Sequence, residues 1–306
     1  MLAEISFFAP CPASGHKLNM PPQFLALFSA FSYASFTICA RLGLNYSTPI
    51  TATVVSLSVR TLTLWAAVFL TGGIPEVAPI ALLLVVALGI VQTATSLLTF
   101  TGLHKIGASR SEPLRNSYPL WSAIIAILVM GEEAGFPVLT GTILVVGGVI
   151  LISWRPAAIA STYRWWHVLF SLAAGFLAGI AFPVRRYVLM ISNEPVFFSA
   201  VIAVVSLSCL ATFLLTPVAR RPLVWDRKAL LPFIAAGGFE ALGAVLGLMA
   251  LSVGRVVVVA PIVATTPLWT LLLTITLLRG HERVNRRSAL GTACVVSGTI
   301  AINLGK

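Results

Sequence analysis

Ten apolar runs fill most of this chain, and no other feature limits its fold as severely. Their approximate limits are 23–41, 50–71, 79–102, 110–130, 136–154, 165–190, 196–217, 230–251, 256–278 and 288–304. Each is close to the roughly 20 residues that carry a helix across the hydrocarbon core of a bilayer. Breakers separate them: Pro49, Gly72-Gly73, Pro75, Pro79, Gly131, Pro137, Pro156, Pro195, Pro217, Pro222 and Gly280. Lipid satisfies no backbone polar group, so each span is expected to be a helix. The two-residue alternation of barrel strands is missing, because the apolar residues run continuously.

Composition agrees. Only 9% of the 306 residues are charged and 58% are hydrophobic, with a mean hydropathy of +0.99. Soluble domains are about 25% charged, so a soluble enzyme, a disordered chain and a fibrous chain are all excluded. The formal charge of +11 is scattered between apolar runs rather than gathered in a stripe with interleaved aromatics. It therefore points to orienting loops and not to nucleic acid. The cysteines at 11, 39, 209 and 294 show no metal or redox spacing. Residues 1–22 read as an N-terminal extension without signal-peptide character, and Met20 is a candidate start.

The second half of the chain repeats the first. Pro119-Leu120-Trp121 returns 148 residues later as Pro267-Leu268-Trp269, and the same offset relates Pro113 to Pro261 and Gln92 to Glu240. Gly141 and Gly148 match Gly291 and Gly298 at an offset of 150. The expected fold is an all-α membrane protein of ten transmembrane helices, arranged as two inverted five-helix repeats. The repeats span 23–154 and 165–304, joined by a linker at 155–164. Five is odd, so the halves enter the membrane in opposite directions. Secondary transporters reuse this architecture, with the solute site at the repeat interface.

The stretch from Thr101 to Ser109, then Pro119-Leu120-Trp121, Gly131-Glu132-Glu133, Gly141 and Gly147-Gly148 resembles the EamA-type module of the drug/metabolite transporter superfamily. The second copy keeps the Ala250–Gly254 helix end, Pro267, Gly280-His281-Glu282-Arg283, Gly291 and Gly298. The first copy departs from the pattern where Ala134, not a basic residue, follows Glu133. The resemblance covers about residues 23–304 and implies carriage of small solutes, from amino acids and sugars to nucleotide-linked metabolites and drugs.

Charged groups inside spans mark candidate sites, because they are costly in lipid and face a bundle interior or a water-filled path. Arg60 lies mid-span. Glu240 lies roughly 15 Å from either interface at 1.5 Å per residue, too deep to snorkel. The two fit a central cavity, with Glu240 exchanging protons and Arg60 binding a carboxylate or phosphate. The alternative is a buried pair that only fixes helix packing. Gln92, Thr95 and Ser96, with Thr99, form a polar stripe that fits a pathway lining or interhelical glue. Tyr118 and Trp121 mirror Thr266 and Trp269 about the prolines, where a kinked helix exposes carbonyls to a cavity. The tryptophans fit solute stacking or plain packing. Arg115 fits an anion site at the cavity mouth, snorkelling, or a pair with Glu112. Gly175 with Gly179, and Gly243 with Gly247, permit close helix approach within the chain or across a homodimer.

The function these features favour is a secondary transporter in the cell membrane moving a small organic metabolite or drug by alternating access, with protons as the candidate coupling ion. No cofactor is implied: neither an ATP-binding loop nor a metal spacing is present. No acidic cluster or nucleophile–base pair lies within a span, which argues against an intramembrane enzyme. A channel or a helix-packing scaffold or receptor is the alternative. Counted over ten spans, with Arg185, Arg186 and Arg255 on the termini's side, most basic residues fall on the opposite side. The positive-inside rule then puts the termini outside, whereas the resemblance puts them in the cytoplasm.

Overall fold

The computed structural model describes residues 20–106, 114–153, 165–215, 224–277 and 286–304. The described residues contain helices and no strands. In chain order the helices are α1 (Pro22–Leu44), α2 (Pro49–Leu70), α3 (Pro79–Ile106), α4 (Tyr118–Met130), α5 (Phe136–Ser153), α6 (Val168–Ile191), α7 (Pro195–Leu215), α8 (Arg227–Val253), α9 (Val256–Val263), α10 (Thr266–Leu277) and α11 (Arg286–Leu304). A short 3₁₀ turn, Trp165–His167, leads into α6. Among the described residues seven apolar spans are long enough to cross a membrane, with α9 and the start of α10 together forming one of them. Three shorter apolar helices accompany them: Tyr118–Met130, Phe136–Leu151 and Leu290–Ile302.

Boundary chemistry follows the prolines and glycines. α1 and α2 each carry proline in their first turn, where the missing N–H costs nothing. The Thr48 hydroxyl accepts from the Thr51 amide to cap α2. Gly131 closes α4 at φ 65°, a left-handed conformation that a Cβ opposes.

Packing sorts residues by size. α1 buries Ala26, Ser29, Ala30 and Ala34 while Phe24 and Phe28 are exposed. Elsewhere Leu62, Phe69, Leu83, Leu128 and Leu231 are exposed. Such a surface suits lipid, and small residues let helix backbones meet inside. α5 approaches α11 closely. A Cβ at Gly141 would lie 2.6 Å from the Gly298 carbonyl oxygen, and one at Gly148 would lie 2.6 Å from that of Gly291. Each first-copy glycine thus meets the opposite member of the second-copy pair, as two copies of one motif do across a two-fold axis.

The same exchange relates other contacts. α1 packs on α8 and α6 on α3; α2 packs on α8 and α7 on α3; α4 packs on α6, and α9–α10 on α1. Directions can be read from residue pairs. α1 runs antiparallel to α8, with Pro22 at Gly254 and Ser29 donating to the Gly243 carbonyl at 2.8 Å. α3 runs antiparallel to α6, with the Ala78 amide at Ser192 and Gln92 at Arg185. α2 runs parallel to α8, with Ser56 beside Gly237 and Arg60 beside Glu240.

The fourth and ninth apolar runs are broken helices. Asn116-Ser117 forms a turn just before α4, and Ala264-Thr265 forms one between α9 and α10. The breaks are repeat-equivalent and share their bonding. The Ser117 hydroxyl donates to the Leu114 carbonyl, and the Thr265 hydroxyl to that of Ile262, each at 2.7 Å. Pro119 and Pro267 follow, and neither has the amide that would bond four residues back. At Pro267 the orphaned Val263 carbonyl takes the Thr266 hydroxyl at 2.7 Å. At Pro119 the Arg115 carbonyl lies over Gly175, where an added Cβ would approach to 2.9 Å.

Candidate functional site

The two mid-span charges meet. Arg60 comes from the middle of α2 and Glu240 from the middle of α8, which pack side by side because Gly237 admits the Ser56 carbonyl. The Arg60 guanidinium donates to Glu240 Oε1 at 2.8 Å. Arg60 keeps 7% of its side chain exposed and Glu240 keeps 18%, so the carboxylate is the more reachable partner. In a low dielectric such a pair holds only while both members are present; removing one costs about 3–5 kcal/mol.

A second guanidinium occupies the related position. Arg185, in α6, donates to Gln92 Oε1 at 3.0 Å, and Gln92 is the repeat equivalent of Glu240. The first half therefore uses a neutral acceptor where the second uses a carboxylate. The guanidinium comes from a different element too, since α7, the counterpart of α2, carries no charged residue. Arg185 also lies 5.7 Å above the Phe182 ring, which stacks on Tyr118 at 5.3 Å. Tyr33, on α1, is within electrostatic range of Arg60, Arg185 and Glu240 together, and Tyr118 is within range of Arg115, Tyr33 and Arg185. The Tyr33 ring packs over Gly243, one turn beyond Glu240.

The remaining residues singled out from the sequence behave differently. Thr95, Ser96 and Thr99 spend their hydroxyl hydrogens on carbonyls of their own helix, at Val91, Gln92 and Thr95. Through those hydrogens they make no interhelical glue. Trp121 and Trp269 pack edge-on against Phe176 and Phe31, at 5.4 and 5.7 Å and 89° in both cases. The repeat thus reproduces one aromatic clasp twice, and both indole N–H groups are buried without an acceptor. Arg115 stands at the break before α4, with its carbonyl against Gly175; Glu112 lies outside the described residues. Gly175 and Gly179 admit α4, and Gly243 and Gly247 admit α1, so these small residues serve contacts within the chain.

Three residues carry roles that charge spacing alone did not reveal. Arg185 was grouped with the loops by side, yet it sits within α6 and reaches Gln92. Arg186 donates to the Leu251 and Ser252 carbonyls at 2.6 and 2.8 Å, holding the C-terminal end of α8. The Glu132 carboxylate accepts from the Val256 and Val257 amides at 2.9 and 3.1 Å, capping the N-terminus of α9. Beside it a cavity of about 230 Å³ opens among Pro22, Gln23, Glu133, Gly254 and Arg255, at the end of the bundle and away from the ion pair.

The model of the EamA-like transporter family matches residues 20–154 and again 165–304. The chain belongs to the EamA-like transporter family. The two matched segments coincide with the two copies of the proline and glycine pattern, so this EamA protein is built from two family modules. A solved crystal structure of a protein 16% identical superposes with a TM-score of 0.76, covering 92% of this chain and 96% of the other. That likeness speaks to fold. No curated protein matches the sequence significantly. As a family member with seven long apolar helices, the chain is a multi-pass integral membrane protein.

Proposed function

We propose that this EamA protein is a secondary transporter that moves a small organic solute across the cell membrane by alternating access, coupled to protons through Glu240. The observation that carries the reading is the pair of repeat-equivalent helix breaks, at Asn116-Ser117 and Ala264-Thr265. Discontinuous helices at matching positions of two repeats surround the solute site in many carriers, because unwound backbone is tolerated at membrane depth only beside protein or water. The directions of α1, α2, α3, α6 and α8 support ten spans in two inverted halves, and exchange of the halves is the simplest route to two access states.

Arg60 and Glu240 supply the coupling chemistry. In the described state they bond each other. A proton arriving at Glu240 neutralises the carboxylate and loosens its hold on Arg60, which frees a guanidinium for the solute and lets α2 and α8 separate. Departure of the proton restores the pair and favours release.

The test is solute-dependent proton movement in proteoliposomes carrying a trapped pH dye. Amino acids, sugars, carboxylates, nucleotides and organic cations are added in turn. The expected result is a saturable proton flux with one class, absent in Glu240→Gln. An undiminished flux in that variant removes Glu240 from coupling. Flux that never saturates favours a channel.

A further inference from the structure

The pseudo-symmetric pairs are unequal, and their inequality bears on the solute. Arg60 has a carboxylate partner in Glu240. Arg185 has only the amide oxygen of Gln92 and the face of Phe182, and its Nε is buried without a hydrogen-bond partner. Among the described residues no carboxylate pairs with Arg185, so a guanidinium well inside α6 stands without a counter-ion. A cation inside a membrane protein needs a counter-charge, because desolvation penalises the charged form and nothing repays it.

The unpartnered polar atoms point the same way. Arg60 is 6% exposed and its Nε has no acceptor; Asn116 is 5% exposed and its Nδ2 has none. Asn116 lies two residues before Tyr118, whose ring stacks on the Phe182 that Arg185 covers. All three open atoms are donors. In a native protein such buried donors await an acceptor, and an unmade bond of this kind costs about 1–3 kcal/mol. A solute rich in acceptors and carrying negative charge answers both needs at once.

We propose that the transported solute is an organic anion, bearing a carboxylate or phosphate that Arg185 grips while Gln92 holds the guanidinium in place. This rests on the carrier reading above and specifies its substrate class. Gln92 is the residue that keeps the site open. A carboxylate there, as Glu240 provides in the other half, would fill the place of the solute's own charge.

Thermal stability of the purified protein, measured with millimolar inorganic phosphate, benzoate, a four-carbon dicarboxylate, a tetraalkylammonium salt and a neutral sugar, tests this at constant ionic strength. At least one anion is expected to raise the melting temperature of wild type, and the cation and the sugar are not. Gln92→Glu, which adds a partner for Arg185 and removes none, is expected to keep or raise the unliganded melting temperature and to weaken the anion about tenfold or more. Arg185→Gln is expected to weaken it similarly, with partial recovery in Arg185→Lys. Stabilisation by the cation or sugar alone, by no anion, or by anions equally in Gln92→Glu, overturns the assignment. Counterflow of the same probes in proteoliposomes separates the two levels. Saturable exchange of a neutral or cationic solute sinks the anion assignment and leaves the carrier standing, whereas no exchange of any class sinks the carrier.

Discussion

Glu240→Gln has a natural precedent inside the molecule. At the repeat-equivalent position Gln92 already accepts a guanidinium at 3.0 Å, so a glutamine at 240 still offers Arg60 an acceptor, though a weaker one than a carboxylate. The variant is therefore expected to fold, with a melting temperature close to wild type, while losing proton-driven flux and keeping solute exchange. Glu240→Ala leaves Arg60 buried and alone and should destabilise by about 3–5 kcal/mol, read as a lower melting temperature in detergent. The double change Arg60→Met with Glu240→Met removes both charges and is expected to recover most of that loss without recovering flux. If the double variant transports normally, the pair serves packing only. The sequence disclosed both members of this pair, because a charge in the middle of an apolar run is conspicuous by itself. It left open whether they bond each other or face a cavity separately, because the contact depends on Gly237 bringing α2 onto α8. Arg185 was missed for a related reason. It stands beside Arg186 near the end of the run at 165–190, and two adjacent arginines there read as a loop. Its place inside that run was the available signal.

At the level of elements, the glycines and prolines do the specifying. Gly148→Val would put a side chain where a Cβ alone would already lie 2.6 Å from the Gly291 carbonyl and 2.8 Å from Val295. The expected cost is about 1–3 kcal/mol of overpacking, and Gly147→Val, which meets open space, is the control. Equal melting temperatures for the two would contradict the α5–α11 contact. The broken helices make a second prediction. Pro267→Ala restores an amide that can reach Val263 and competes with the Thr266 hydroxyl for the same carbonyl. A more continuous helix is expected, with slower solute flux and little change in melting temperature. Prolines in both repeats made a kink foreseeable from sequence. The turn itself arises from Ser117 and Thr265 bonding backward to carbonyls, and a lone hydroxyl in an apolar run carries no sign of that choice.

Over the whole molecule, two family modules pack so that the main contacts between the halves recur under their exchange. Hydropathy and the fixed offset of prolines and glycines made that much legible, since both are properties of the linear chain. Orientation was not legible: basic loops and family resemblance pointed to opposite sides. An inverted ten-span topology predicts that cysteines introduced one at a time at Asn45, between α1 and α2, and at Asn193, between α6 and α7, react with an impermeant thiol reagent from opposite faces. Labelling of both from one face would contradict the inversion. Alternating access around the Arg60–Glu240 pair is read from the accessibility of one cysteine at position 96, a turn beyond Gln92, in a protein without its native cysteines. Labelling from each face of sealed vesicles is measured at acid and alkaline pH. Reciprocal change is expected, one face gaining as the other loses, with loss of that pH response in Glu240→Gln. Simultaneous access from both faces, or access from neither at any pH, would contradict it.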